Sequence, residues 1–206
     1  MKRILLLIVL AAFMTGCTAP SLRNGDLLFQ ANEGDFTDAI EAVTGGTFSH
    51  VGIIERINDK VFVLEASSKE GVVRTPLRQF LDDAAHTPDG KPIVEACRLR
   101  GWTPEQLDDA VRKAASFLGK RYDFAFSPGT ERLYCSELVY ESFRLPDGSP
   151  AFTARPMSFR DSSGNIAPFW IDYYEKMGTD IPEGLPGTNP NDMYRDPVLY
   201  PVPLKF

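Results

Sequence analysis

Histidine is scarce in this chain of 206 residues, with two copies, and cysteine nearly so, with three. No CxxC or HExxH pattern surrounds them, so the sequence offers no recognisable zinc site and metal catalysis fits poorly. A serine hydrolase of the nucleophile-elbow type would need Gly-x-Ser-x-Gly between strand and helix, and none occurs. A phosphate-cradling loop is also missing, because Thr44-Gly45-Gly46-Thr47 lacks both the spacing and the lysine. Basic residues do not cluster and the formal charge is −6, which argues against nucleic acid as a partner. No internal repeat is visible, and nothing implies a cofactor.

Long apolar runs are lacking too. Ile4 to Phe13 is the apolar stretch that follows the basic start Met1-Lys2-Arg3, and a membrane-spanning helix needs about 20 such residues. The stretch has signal-peptide length, and Met14-Thr15-Gly16-Cys17 resembles a bacterial lipobox. The expectation is a lipoprotein-type signal over residues 1–16, acylation of Cys17, a short linker over 17–23, and a protein held at the membrane of the bacterial cell envelope by its N-terminal lipid. Met14 is unusual at the first lipobox position, so simple secretion or an uncleaved anchor stays open. The remaining length suffices for one hydrophobic core and is short for two.

What is present is a pair of segments far apart in sequence. Phe48-Ser49-His50-Val51-Gly52-Ile53-Ile54 reads as a loop entering a strand with His50 at the junction, and Tyr134-Cys135-Ser136-Glu137-Leu138-Val139 reads as a helix beginning at Cys135. A thiol at a helix N-terminus feels the positive end of the dipole and unpaired N–H groups, which favour the reactive thiolate and an adjacent oxyanion. An imidazole takes and returns protons near working pH. Together they point to nucleophilic acyl transfer. The other histidine, His86, lies in the turn-rich Ala85-His86-Thr87-Pro88-Asp89-Gly90 and reads as a solvated loop residue.

A third group should orient the imidazole, and Glu65 is the candidate. It ends Lys60 to Ala66, which pairs as a hairpin with His50 to Glu55 across Arg56-Ile57-Asn58-Asp59 and so brings Glu65 to the same end as His50. Glu137 is a rival whose simpler role is to interact with the first-turn N–H groups of its own helix.

The rest of the chain reads as α+β, with strands in succession and helices at either end, hence an antiparallel sheet packed against helices. Strands are expected at Asp26 to Gln30, Gly71 to Arg74 and Ile93 to Leu99, and a helix at Phe36 to Val43 with Asp35 as N-cap. Pro104 to Leu118 is the clearest helix, with Thr103 as cap, Gln106 completing a capping box, and Leu107, Val111, Ala114, Ala115 and Leu118 on one face. Cys97, in a strand-like run, reads as a small buried residue unpaired with Cys135. From about residue 146 the composition shifts to Pro, Gly and aromatics, an extension expected to carry a helix at Pro168 to Met177 and to wrap the core.

Five segments in order, Gly25-Asp26-Leu27-Leu28-Phe29-Gln30, Phe48 to Gly52, Leu64-Glu65-Ala66, Gly119-Lys120-Arg121-Tyr122-Asp123-Phe124 and Tyr134 to Val139, resemble the YiiX and YebB group. That group lies in the circularly permuted, papain-like branch of the NlpC superfamily of cysteine hydrolases. The resemblance spans roughly residues 24 to 145. It implies a permuted papain-like (NlpC-type) fold over 24–206 and a triad of His50, Glu65 and Cys135, with the thiol last in the chain. It also implies a substrate-lining or oxyanion role near Tyr122, Ser49 and Ser136. The expected activity is cleavage of an amide or peptide bond, in cell-wall peptide or a related small amide. Two alternatives stand beside it: a lipid-directed acyl hydrolase or acyltransferase, and a lipoprotein that binds cell-wall fragments without turning them over. An apolar tunnel beside Cys135 would favour acyl chains, and a polar cleft would favour peptide.

Overall fold

The structure, a computed structural model, describes residues 22–204; the expected signal segment and Cys17 lie outside the described residues. Along the chain come β1 (Leu27–Gln30), α1 (Asp35–Thr44), β2 (His50–Ile57), β3 (Lys60–Ser67), β4 (Gly71–Pro76), α2 (Leu77–Asp82), β5 (Val94–Leu99) and α3 (Pro104–Ala115). Then follow β6 (Arg121–Tyr122), β7 (Arg132–Leu133), α4 (Cys135–Ser142), β8 (Arg155–Pro156), α5 (Pro168–Met177), β9 (Pro186–Gly187), α6 (Pro190–Tyr194) and β10 (Leu199–Val202). Six strands form one sheet in the order β10-β5-β1-β2-β3-β4, every neighbouring pair antiparallel. The mixed α+β class and the antiparallel sheet packed on helices are as the pattern of elements predicts.

Each strand reflects its place. β1 lies inside the sheet with all four residues buried, which is why it is continuously apolar apart from Gln30. One face of the sheet, carrying Leu27, Phe29, Val51, Ile53 and Leu64, packs on α3 and α4. The other, carrying Leu28, Ile54 and Val63, packs beneath Phe80 of α2. Asp26, at the entry to β1, is fully buried and accepts from Arg98 of β5 at 2.6 and 2.8 Å, a bidentate ion pair that ties the two strands.

Helix α3 carries the expected capping box, with Thr103 accepting from the Gln106 N–H and Gln106 reaching back to Thr103. It ends at Ala115 rather than Leu118, because the chain tightens: Phe117 and Leu118 donate to carbonyls three residues back before Gly119 turns at φ +83. Helix α1 begins at Asp35, not Phe36, and its N-cap is Gly34 at φ 120, a conformation that favours glycine. Asp35 therefore sits in the first turn, where its charge suits the helix dipole. The turn of the β2-β3 hairpin narrows to Asn58-Asp59, with Asn58 at φ 54.

The C-terminal extension closes over the sheet and its helices. α5 covers the expected range, and its Trp170 and Tyr174 form an aromatic cluster with Phe159 that reaches Phe36 and Ile40 of α1. β10 then pairs with β5 as an edge strand. Helices α2 and α6 and the two-residue strands β6 to β9 have too few residues to show a period in the sequence.

Candidate active site

His50 opens β2, and the chain reaches it through a tightly held loop. Gly45 ends α1 in the left-handed conformation, φ 63. Gly46 lies against the Asn191 side chain so closely that a Cβ there would overlap it. Asn191, on α6, accepts from the Phe48 N–H at 3.0 Å and donates to the Phe48 carbonyl at 2.8 Å and to Thr44 Oγ1 at 2.7 Å. The residue ahead of Ser49 and His50 is thus fixed through both of its backbone groups by a side chain from the far end of the chain.

Glu65 meets His50 through strand register. Ile53 pairs with Leu64, so carrying the ladder one step places Gly52 opposite Glu65 and His50 diagonally across on the same face. His50 Nε2 and Glu65 Oε2 are 2.6 Å apart, and Glu65 Oε1 accepts from the Thr75 hydroxyl on β4. The Phe80 ring packs beside the imidazole, centroids 5.8 Å apart.

Cys135 is the first residue of α4, preceded by extended Tyr134, whose side chain does not cap the helix. Both are buried, and the thiol points toward the Ser49 carbonyl at 4.0 Å. Burial disfavours a charged imidazole at His50, but the neighbouring Cys135 thiol and the Glu65 carboxylate outweigh it and raise His50 to about 10. Since Nε2 is engaged by Glu65, Nδ1 is the nitrogen left for the thiol. Burial likewise opposes the Glu65 carboxylate, yet the hydrogen bonds from His50 and Thr75 hold it below the usual range. His50 and Glu65 are thus hydrogen-bonded, and Cys135 lies near enough to influence the charge of His50.

Of the other residues singled out in the sequence, Tyr122 ends β6, is buried, and is raised well above an ordinary phenol by burial and by the neighbouring Cys135. Asp123 accepts from the N–H groups of Ala125 and Ser127, an Asx-type turn. Ser49 Oγ accepts from the Asn32 N–H at 3.1 Å. Ser136 is fully buried and its hydroxyl accepts from Thr188 Oγ1 at 3.1 Å. Glu137 is buried beside Asp123 and pushed up to about 8 by burial and that charge, and among the described residues its Oε2 has no hydrogen-bond partner. Cys97 is buried and unpaired, as is Cys135. Burial, with Glu95 and Asp26 nearby, pushes Cys97 up to about 12. His86 is exposed, paired only through a single bridge to Pro92.

Two cavities meet at this cluster. Cys135 lines one of about 180 Å³, walled by the apolar Val43, Phe126, Met157, Phe159 and Trp170 and by the polar Arg155, Thr188, Asn189 and Asp192. His50 and Glu65 line the other, about 420 Å³, with Asn32, Lys69, Glu70, Gln79 and Asp83. Ile40, Ser49 and Tyr122 belong to both walls. Thr75, Phe80, Asn191 and Thr188 gave no signal in the sequence, because each touches the cluster only through tertiary contact.

An antiparallel sheet with a buried helix across it, and an imidazole that precedes the thiol in the chain, define a permuted papain-like protein. The chain belongs to the permuted papain-like amidase family, YaeF/YiiX, C92, whose profile matches residues 21–203. It is 34% identical over 143 residues to the uncharacterized protein YiiX of Escherichia coli strain K12, a match spanning 69% of this chain and 67% of that protein. The crystal structure of yiiX from Escherichia coli O157:H7, described as a metalloprotein, is similar with a TM-score of 0.73 and 28% identity, covering 89% of this chain and 98% of that one. In the present chain, among the described residues, no group of three or more His, Cys, Asp or Glu side chains is placed to hold a metal ion. Among the described residues the donor set does not fit a metal centre.

Proposed function

We propose that this chain is an envelope-anchored cysteine amidase that cleaves an amide or peptide bond, in cell-wall peptide or a related small amide, through an acyl-enzyme on Cys135. The observation that carries the reading is the 2.6 Å contact between the Glu65 carboxylate and the His50 imidazole, with the Cys135 thiol near enough to raise His50. In the first step Cys135 Sγ attacks the carbonyl carbon. The first-turn N–H groups of α4, which lack intrahelical partners, face the developing oxyanion. His50 gives its proton to the leaving nitrogen, and the C–N bond breaks. Water then attacks the thioester with His50 as base, releasing the acid and restoring the thiol. Glu65 holds the ring and favours its charged form. Tyr122, Ser49 and Ser136 line or border the reacting centre. Anchoring follows from the lipobox-like segment ending at Cys17.

The test is release of free amine from cell-wall peptide fragments and from simple N-acyl amides, followed with an amine-reactive fluorophore. Wild type should release amine and Cys135→Ala should not. Equal release by both would contradict the reading, and binding without release would favour a fragment-binding lipoprotein.

A further inference from the structure

A carboxylate can orient an imidazole only if it is itself held, because a glutamate side chain has several rotatable bonds and a loosely defined terminal torsion. Strand register supplies the hold in this protein. Ile53 pairs with Leu64 and Glu65 with Val73, so His50 on β2 and Thr75 on β4 both lie diagonally across from Glu65 on one face of the sheet. They are displaced along the strands in opposite senses, and each reaches a different oxygen. His50 Nε2 meets Oε2 at 2.6 Å, and the Thr75 hydroxyl donates to Oε1. Thr75 is buried, on an end strand of the sheet, where valine would fill the same space with no polar group to bury.

We infer that Thr75 is a positioning residue of the reaction, its hydroxyl locking the Glu65 carboxylate so that the other oxygen stays on the His50 imidazole. This rests on the amidase reading above. An ionised carboxylate only accepts, so the hydroxyl hydrogen is committed to Oε1 and the bond favours the charged form of Glu65. It acts with His50 against the cost of burial, which is why Glu65 lies below the usual carboxylate range. The corner that follows fixes the hydroxyl in turn: Pro76 precedes α2 at φ −54, and Phe80, one turn on, is buried beside the imidazole. The other charged groups lining this cleft are Lys69 and Glu70 at the β3-β4 turn and Asp83 after α2. Two of these carry the sign of Glu65 and one the opposite, so together they do not replace the lost donor. Without the hydroxyl, Oε1 is a buried oxygen stripped of that donor, and the carboxylate turns away or takes up a proton. Either change loosens its hold on His50.

With two histidines in the chain, His50 can be titrated by NMR of its ring protons while the exposed His86 serves as internal control. The comparison is among wild type, Thr75→Val, which keeps the shape and removes the hydroxyl, Thr75→Ser, which restores it, and Glu65→Gln. Iodoacetamide alkylation of Cys135 at about pH 6.5, read by mass spectrometry, is the second measurement. Thr75→Val should lower the His50 titration from near 10 by about one pH unit or more and slow Cys135 alkylation about tenfold, the scale of losing a hydrogen bond to a charged group. Thr75→Ser should retain most of both. A residue that only packs would change Tm without moving His50. An unmoved His50 in Thr75→Val, or a Thr75→Ser no better than Thr75→Val, alongside a lowered His50 in Glu65→Gln, would overturn the inference and leave the amidase reading standing. A His50 titration that Glu65→Gln leaves unchanged would overturn that reading and the inference with it. If Thr75→Val does not fold, wild type decides: the Thr75 hydroxyl proton should exchange slowly enough with water to give its own resonance, and a freely exchanging hydroxyl would overturn the inference.

Discussion

At the residue scale, Glu65 is the group whose removal is most informative, since His50 keeps its proton to about pH 10 through Glu65 and Cys135 together. Glu65→Gln keeps a hydrogen-bond acceptor but removes the charge. It should lower kcat/KM by roughly 10²-fold, the scale of a weakened acid-base group, and move the alkaline limb of the pH profile downward from near 10. An unchanged limb would mean that Glu65 does not set the state of His50. Glu137 makes an opposite stability prediction. Its folded value, about 8, lies above the ordinary carboxylate value, so its burial costs stability once the unfolded chain ionises, increasingly from about pH 4.5 up to about 8. Glu137→Gln should therefore raise Tm at pH 8 and leave it nearly unchanged at pH 5, measured by calorimetry.

At the element scale, the site depends on joints between distant segments. Asp26 and Arg98 join β1 to β5 in a buried pair, and Asp26→Ala would leave the guanidinium without this buried carboxylate. The expected loss is about 3–5 kcal/mol by urea denaturation, the range for breaking a buried pair from one side. What was legible in the sequence divides along the same line. His50 and Cys135 were readable because each sits at an element boundary with a local signature, a loop-to-strand junction and a helix start, and Glu65 because it lies near the end of β3. The hairpin register brought two of them together on arithmetic alone, and the capping box of α3 was readable residue by residue. Asp35 was misplaced by one position because Gly34 takes over as N-cap, a choice fixed by backbone angle. Asn191 and Thr75 were invisible because hydrogen bonds between segments far apart leave no local pattern.

For the molecule as a whole, the charged pair at the site couples activity to stability. His50's folded value lies above its ordinary 6.5, so its contribution is full below about pH 6.5 and fades as pH rises through about 10. Glu65's lies below the ordinary carboxylate range, so its contribution holds above that range and is lost as pH falls through the folded value. The stability difference between wild type and His50→Ala should be largest near pH 5 to 6 and shrink toward pH 10. The aromatic extension gives the site its apolar side, and no helix among the described residues is long and apolar enough to cross a membrane. The attachment to the envelope proposed above depends on Cys17, and mass spectrometry of the N-terminus from the membrane fraction should find that thiol acylated; an unmodified Cys17 there would contradict anchoring.

The central claim, that His50 activates Cys135, is tested most directly by alkylation with iodoacetamide between pH 6 and 7, read at each cysteine by mass spectrometry in wild type and His50→Ala. Cys97, held to about 12 by burial and nearby carboxylates, supplies the internal reference. Cys135 should react at least about tenfold faster than Cys97 in wild type and lose most of that advantage without His50. Equal, slow reaction of both thiols, or a Cys135 rate untouched by His50→Ala, would contradict the account.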